Sequence, residues 1–270
     1  MIPIQFNKTI SSMVANHPDW EYWFWSDALA EEFVRKRFPN YLHMYKNYPK
    51  AINRADAIRY FILYEFGGVY ADIDMQSLRP LDELLDFHTF LIPEDHPVHT
   101  NVVFHLNRIP LNALMMSVPK HPIIKSVILH LAEFAKQKNV LWVAGPMMFE
   151  NVLTKYEKTL ASRTNVSLCD SIYLADWQQF IPQHSKNPPD IKFFRNKCKR
   201  IHTPKHREQC VILKQRKFIP KPIPPSAYTT HMFAHVHISK VKKKIPLKNI
   251  VGNLLTNVTH KIVNLKARDL

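Results

Sequence analysis

The chain has 270 residues, of which only four are glycine (Gly67, Gly68, Gly145 and Gly252) and 20 are proline. Average usage of roughly 7 % would give about 19 glycines; four leave no room for a G-x-G-x-x-G fingerprint or a Walker-type loop, which excludes Rossmann dinucleotide and P-loop phosphoryl chemistry. The net charge of +15 belongs to one end, because residues 190–270 hold 19 of the 37 Lys and Arg but only three of the 22 acidic residues.

A basic stretch of that kind suits phosphate, anionic lipid or nucleic acid, and it also suits a merely solvated face. With 46 % hydrophobic residues the chain has material for a large core. No window approaches the ~18 apolar residues of a membrane helix, and Met1 to Trp20 lack the basic-then-apolar order of a signal peptide. Cys169, Cys198 and Cys210 are too few for a disulfide framework. A Cys198–Cys210 bridge and three free thiols both stay open.

In chain order, the aromatic run Glu21-Tyr22-Trp23-Phe24-Trp25 reads as a short strand. Ser26-Asp27 caps a helix to about Arg37, closed by Phe38-Pro39, and a shorter helix spans Tyr41 to Asn47. Ile52 to Phe66 is the strongest helix, with good formers, no internal proline and Gly67-Gly68 at its end. Val69-Tyr70-Ala71-Asp72-Ile73-Asp74 then reads as a strand, which gives α/β order. Further strands are predicted at Thr89–Pro93, Val102–Leu106 and Ser171–Leu174. Helices are predicted at Pro122 to Lys136 and from Gly145-Pro146 to about Lys158. Beyond Ile181 proline recurs and periodicity weakens. The composition divides the chain into a core over 1–189 and a basic, proline-rich part over 190–270.

The densest chemical signal is Asp72-Ile73-Asp74. On a strand, residues i and i+2 share a side, so both carboxylates would project together from a sheet edge. Two adjacent like charges call for a cation, and oxygen ligands suit Mn²⁺ or Mg²⁺ shared with substrate phosphates. The alternative is a polar turn with two solvated aspartates. Upstream, Asp56 and Arg59 share one face of an otherwise apolar helix, where buried charges need a ligand or each other. His231, His235 and His237 crowd seven residues, without the cysteine or carboxylate spacing of a zinc site. Trp142, Met147 and Met148 read as core.

From Tyr48 to Leu85 (YPKAINRADAIRYFILYEFGGVYADIDMQSLRPLDELL) the sequence closely resembles glycosyltransferases with an Asp-x-Asp sugar-binding region. This family includes inositol-phosphoceramide mannosyltransferases, initiating α-1,6-mannosyltransferases, α-1,4-galactosyl- and N-acetylglucosaminyltransferases and capsular polysaccharide enzymes. Arg54 to Asp74 fill every fixed position of Arg-Ala-Asp-x-x-Arg-Tyr followed by Leu-Tyr-x-x-Gly-Gly-x-Tyr-x-Asp-x-Asp. Weaker similarity covers Asn16 to Trp25, Leu111 to Pro122 with Asn112, Ala144-Gly145-Pro146, and Tyr228 to Ala234.

The resemblance implies a GT-A-type α/β sandwich, a mixed sheet flanked by helices that binds a nucleotide sugar. Asp56, Arg59, Tyr60, Gly67, Gly68, Asp72 and Asn112 would line the donor site. Asp72 and Asp74 would be catalytic and would hold Mn²⁺ (or Mg²⁺) with His231, while residues 228–240 complete the site. It further implies a GDP- or UDP-sugar donor, a lipid or glycan acceptor, and retention by a front-face route in which a leaving phosphate oxygen takes the acceptor proton. Golgi or secretory-lumen residence is implied too, with peripheral membrane contact through the basic part and no nucleic acid. Sequons at Asn7, Asn165 and Asn257 suit such a lumen. Family members begin with a strand of Ile-Pro-x-x-Ile-His-Gln-x-Trp type; Met1-Ile2-Pro3-Ile4 is a remnant of it, so the first strand is expected to be missing or truncated. That departure keeps a catalytically silent sugar-nucleotide or glycan-binding relative as the alternative.

Overall fold

Runs of helix formers broken by proline, and short apolar strands, build a mixed α/β structure in which helices cover a mixed sheet. It is a computed structural model that describes residues 2–233 and the strand segments 244–245 and 262–263. His235 and His237 lie outside the described residues, as does the sequon at Asn257.

The strands are β1 Ile2–Pro3, β2 Tyr22–Trp23, β3 Gly68–Ala71, β4 Met75–Ser77, β5 Phe90–Pro93, β6 Leu114–Ser117, β7 Tyr173–Ala175, β8 Thr229–His231, β9 Lys244–Ile245 and β10 Ile262–Val263. The helices are α1 Asn7–Asn16, α2 Asp27–Arg37, α3 Pro39–Lys46, α4 Ala51–Phe66, α5 Asp82–Leu85, α6 Pro122–Phe134, α7 Val140–Val143, α8 Pro146–Ala161, α9 Trp177–Phe180, α10 Pro188–Lys197 and α11 Pro204–Gln215. The central sheet runs β3-β6-β5-β7, antiparallel except for the parallel β5–β7 pair. Short ribbons pair β4 with β8, β1 with β9 and β2 with β10.

The period-two alternation of strands sorts side chains to the two faces of this sheet. Phe90, Ile92 and Met115 join one core beneath α2, α3, α4, α6 and α8. Leu91, Leu114 and Met116 join a second core with Met75, Leu81, Phe180 and Tyr228. A third cluster, of Val98, Val102, Phe194, Leu213, Phe218 and the Cys198–Cys210 disulfide, binds α10 and α11 to a π-helical segment, Val98–Val103.

Several predicted elements stand where the sequence puts them. Ser26 Oγ accepts from the Leu29 N–H and starts α2, Pro122 and Pro146 open α6 and α8, and Met147 and Met148 are buried. Trp142 packs against the first core. Others differ. Val102–Leu106 is no strand, because residues 98–103 wind helically against α10 and α11. The aromatic stretch 21–25 narrows to Tyr22–Trp23. Ordered helices α10 and α11 follow Ile181, each opened by proline in its first turn. Ile2–Pro3 does form a strand, paired with Lys244–Ile245. Among the described residues no helix is long and apolar enough to cross a membrane.

Candidate functional site

The Asp72–Asp74 segment departs from its prediction in an instructive way. The strand ends at Ala71, and the chain then switches from one sheet to another. Asp72 N–H still donates to Ala113 O at 2.8 Å, and Met75 N–H closes a turn on Asp72 O at 2.9 Å. From Met75 the chain enters the β4–β8 ribbon, with Met75 opposite His231. Asp72 and Asp74 are therefore corners of a turn, not alternate residues of one strand.

Each corner has its own partner. Asp74 Oδ1 lies 3.3 Å from His231 Nε2, and Asp74 O accepts from the Met232 N–H at 3.0 Å. Asp72 Oδ1 accepts from Tyr70 OH at 2.7 Å and stands 3.5 Å from Arg59 Nη2. Burial works against a charge on His231, but the Asp74 carboxylate, with Asp72 and Asp95 beyond it, raises its pKa above the ordinary value. The sequence thus brings the late histidine to the Asp-x-Asp turn through strand register alone.

Helix α4 supplies the wall behind the turn. Arg59 Nη2 is 2.8 Å from Asp56 Oδ1, so one buried guanidinium bridges Asp56 and Asp72. Its Nη1 donates to Asn112 O at 2.6 Å, and its plane lies 4.8 Å from the Tyr70 ring centroid. Burial alone would favour losing the arginine's proton, yet Asp72 and then Asp56 hold it charged. Asn112 Nδ2 reaches Asp56 Oδ1 at 3.4 Å and Tyr60 OH at 3.1 Å. Burial pushes the Asp56 carboxyl up to about 6, with Arg59 and Asn112 opposing the shift and Asp72 adding to it.

Of the two readings of the Asp56–Arg59 pair, the structure has the mutual pairing, and the same arginine also reaches the turn. Tyr60 is placed differently from a donor contact. It is wholly buried and donates to Ala144 O at 2.8 Å, which locks α4 to the start of α8 from behind. Gly67 and Gly68, at φ +68° and +86°, reverse the chain from α4 into β3. A Cβ on Gly67 would sit 2.6 Å from Pro119 Cδ and 2.8 Å from Ser117 O, so only glycine fits there.

A cavity of about 510 Å³ opens along this wall, lined among others by Trp20, Trp23, Phe66, Tyr70, Asp72 and Met75. Its volume lies within the usual range of small-ligand sites, and its aromatic rim offers stacking faces. Sequence reasoning did not single out Tyr70, or helix α1 beneath the turn. Thr9 Oγ1 lies 2.5 Å from Ile73 O, Ser12 Oγ accepts from the Ser77 N–H, and His17 Nε2 accepts from the Leu81 N–H. Tyr70 was legible as a fixed position of the motif; α1 carried no comparable signal.

Residues 3–91 match the family model described as a glycosyltransferase sugar-binding region containing a DXD motif. Inositol phosphoceramide mannosyltransferase 1 of Schizosaccharomyces pombe is 31 % identical over 57 % of this chain and 48 % of its own length. Mannosyl phosphorylinositol ceramide synthase SUR1 of Saccharomyces cerevisiae is 35 % identical over 58 % and 40 %, respectively. An uncharacterized glycosyltransferase, L373, of Acanthamoeba polyphaga mimivirus is 26 % identical over 81 % of this chain and 84 % of that one. A solved structure titled PaToxG Glycosyltransferase aligns with a TM-score of 0.40 at 19 % identity, over 60 % of this chain and 67 % of that one. The match to the two yeast relatives spans half or less of their length. The chain carries, over residues 3–91, the DXD-containing sugar-binding region of glycosyltransferases.

Proposed function

We propose that the protein is a metal-dependent glycosyltransferase of GT-A type that moves a hexose from a nucleoside-diphosphate sugar to a lipid or glycan acceptor. The observation that carries the reading is the Arg59 bridge. It couples a buried carboxyl on α4 to the first aspartate of a turn whose second aspartate rests on His231, at the edge of a cavity of about 510 Å³. The names of the yeast relatives make mannose the first sugar to test and an inositol-phosphate lipid the first acceptor.

Asp72 and Asp74 are corners of one turn, and His231 stands beside Asp74; two carboxylates and an imidazole are donors of the kind that suit Mn²⁺ or Mg²⁺. Asp72, Asp74 and His231 would hold the ion, which when bound stabilises charge on the departing diphosphate. Arg59 braces Asp72 at the edge of the cavity, so that this carboxylate can accept from sugar or ribose hydroxyls, and Asp56 holds Arg59 from behind. Asn112 and Tyr60 act from behind by fixing Asp56. The Asp56 carboxyl, already engaged by Arg59 and Asn112, is poorly placed as a covalent nucleophile. That favours retention by a front-face route in which the acceptor hydroxyl gives its proton to a phosphate oxygen of the donor. The Cys198–Cys210 disulfide suits an oxidising lumen such as the Golgi, and exposed basic residues of α10 and α11, among them Arg195 and Lys214, suit an anionic membrane surface.

The test is hydrolysis of GDP-mannose and of UDP-hexoses by the purified chain, with and without Mn²⁺. Turnover that needs the metal and is lost in Asp74→Asn is the expected result. Turnover unchanged by chelation and by Asp74→Asn overturns the metal assignment. Tight calorimetric binding of a donor without turnover favours a silent, donor-binding relative instead.

A further inference from the structure

The third hydrophobic cluster holds a second group of metal-ligating side chains, separate from the Asp72–Asp74 turn. Its sequence is regular: Cys198, His202, His206 and Cys210 follow one another at intervals of four, a C-x₃-H-x₃-H-x₃-C pattern. Helix α11 puts His206 and Cys210 on one face, because positions i and i+4 are neighbours there. Cys198 follows directly on the last turn of α10 and brings its sulfur to the same place.

We propose that Cys198, Cys210 and His206 form a zinc site in the dithiol state of the chain, so that a disulfide and a zinc ion are alternative staples at one point. A ligand atom of each residue lies within 4.8 Å of the others, and all three residues are buried, at 3 %, 1 % and 0 % exposure for Cys198, Cys210 and His206. Tetrahedral zinc with the usual bond lengths sets its ligands about 3.6–3.8 Å apart, so once the disulfide is reduced the two sulfurs part and the His206 ring closes in to complete the set.

The second observation is an orphan. His206 Nε2 is buried and makes no hydrogen bond, so a desolvated polar atom is left without compensation. The other ring nitrogen, Nδ1, accepts a long 3.3 Å bond from the His202 N–H. Coordination through Nε2 moves the ring proton to Nδ1 and gives up that contact in exchange for a metal bond. Two more imidazoles lie against His206: His105, tilted, at 4.7 Å and His202, stacked, at 5.7 Å between ring centroids. Neither belongs to the three-residue group, so the fourth ligand of a closed structural site would be one of them after a side-chain movement, or a water. Thiolate with imidazole is a soft set that selects zinc, whereas the hard oxygens at the Asp72–Asp74 turn select Mn²⁺ or Mg²⁺.

Exchange of one staple for the other balances as follows. A dithiol reductant delivers two electrons and two protons to the Cys198–Cys210 bond and itself becomes a disulfide. The two new thiols then lose their protons to solvent as zinc binds. Both forms tie α10 to α11 around Val98–Val103, so the lobe keeps its packing in either redox environment. This inference is independent of the proposed donor site.

The test uses the full chain, oxidised or reduced with a phosphine, which takes up oxygen from water and does not chelate zinc as a dithiol would. After incubation with zinc and gel filtration, the reduced chain is expected to retain one zinc ion and the oxidised chain none. Cobalt in place of zinc is expected to give the intense visible bands of a tetrahedral thiolate site. In mild urea, where the buried pair is transiently exposed, zinc is expected to slow maleimide labelling of Cys198 and Cys210, while exposed Cys169 reacts in both states as an internal reference. Cys198→Ser and His206→Gln are expected to lose the zinc, and Asp74→Asn to keep it. His105→Ala and His202→Ala identify the fourth ligand by which of them weakens uptake. A reduced wild-type chain that retains no zinc and gives no thiolate bands with cobalt overturns the proposal without recourse to any variant.

Discussion

Replacing Arg59 by methionine tests whether the bridge behind the Asp-x-Asp turn holds the site together. Arg59 is 3 % exposed and its lost partners are Asp56 at 2.8 Å, Asp72 at 3.5 Å, Asn112 O at 2.6 Å and Ala55 O at 3.3 Å. Methionine fills much of the volume but strands Asp56, which is only 7 % exposed, with Asn112 as its remaining partner. Breaking a buried pair from one side costs about 3–5 kcal/mol, which for a chain of this size is a fall of roughly 6–10 °C in Tm. Asp56→Asn is a different perturbation. It removes a desolvated carboxyl while Arg59 keeps Asp72 and Asn112 O, so about 1–2 kcal/mol is expected. The double variant should cost less than the two singles together, by about 1–3 kcal/mol, because the stranded charge is gone. Urea titrations followed by circular dichroism, with a common m-value, measure all three. Equal and additive losses for the two singles would show that Arg59 and Asp56 do not act as a pair, and the argument for a preorganised donor wall would fail with them.

Four further outcomes follow from the same geometry. Burial raises the folded-state pKa of Asp56 to about 6, above the ordinary 3.8 of an aspartate. The contribution of this group is therefore present at low pH and lost as pH rises through 6. Acidification from pH 7 to 5 should stabilise the wild type relative to Asp56→Asn by about 1 kcal/mol, read as a widening gap in urea midpoints. Gly67→Ala forces a Cβ against Pro119 and Ser117 at positive φ and should cost about 2–4 kcal/mol. Gly68→Ala meets no atom within 4 Å and should cost only about 1 kcal/mol of backbone strain, so thermal melts should rank the two glycines clearly. Tyr60→Phe loses the bond to Ala144 O and the acceptor for Asn112, about 1–2 kcal/mol; if Tyr60 acts only from behind, its donor affinity by calorimetry should stay near that of the wild type.

What the sequence made legible was local or motif-borne. The Ser26 cap, Pro122 and Pro146 at helix starts, and Gly67-Gly68 after Phe66 each dictate a backbone event within a few residues, and the structure has all of them. The elements that escaped are those held by distant partners. Helix α1, with Thr, Ser and Asn among its ten residues, has little intrinsic drive to be helical. It is fixed by Thr9 reaching Ile73 O and Ser12 capturing the Ser77 N–H, more than sixty residues away in sequence. Strand β6, Leu-Met-Met-Ser, has no β-branched residue, yet it lies between β3 and β5 with all four residues buried. Val102 to Leu106 shows the converse: β-branched and aromatic residues suggested a strand, but cluster packing with Phe194 and Leu213 draws residues 98–103 into a helical winding.

The Asp-x-Asp turn shows why this distinction matters for function. Strand geometry would have aligned Asp72 and Asp74 as two carboxylates sharing one side, with nothing to tell their roles apart. Because the chain changes sheets between them, they face different neighbours. Asp72 stays with the central sheet, tied to Ala113 O through its backbone and to Tyr70 and Arg59 through its side chain. Asp74 goes with the ribbon, where the Met75–His231 register delivers an imidazole 3.3 Å from its carboxylate. A break in secondary structure at a motif is where two differently supported acids can be set side by side: one braced by a buried arginine, the other paired with a histidine more than 150 residues away. The glycine pair upstream serves that break. Gly67 lets α4 turn hard against Pro119, so that Arg59 on the helix and Asp72 beyond the strand come within reach of one another. The small number of glycines in the chain and the position of two of them are thus one physical fact: a phosphate-cradling loop is ruled out, and the turn that remains presents carboxylates suited to a cation.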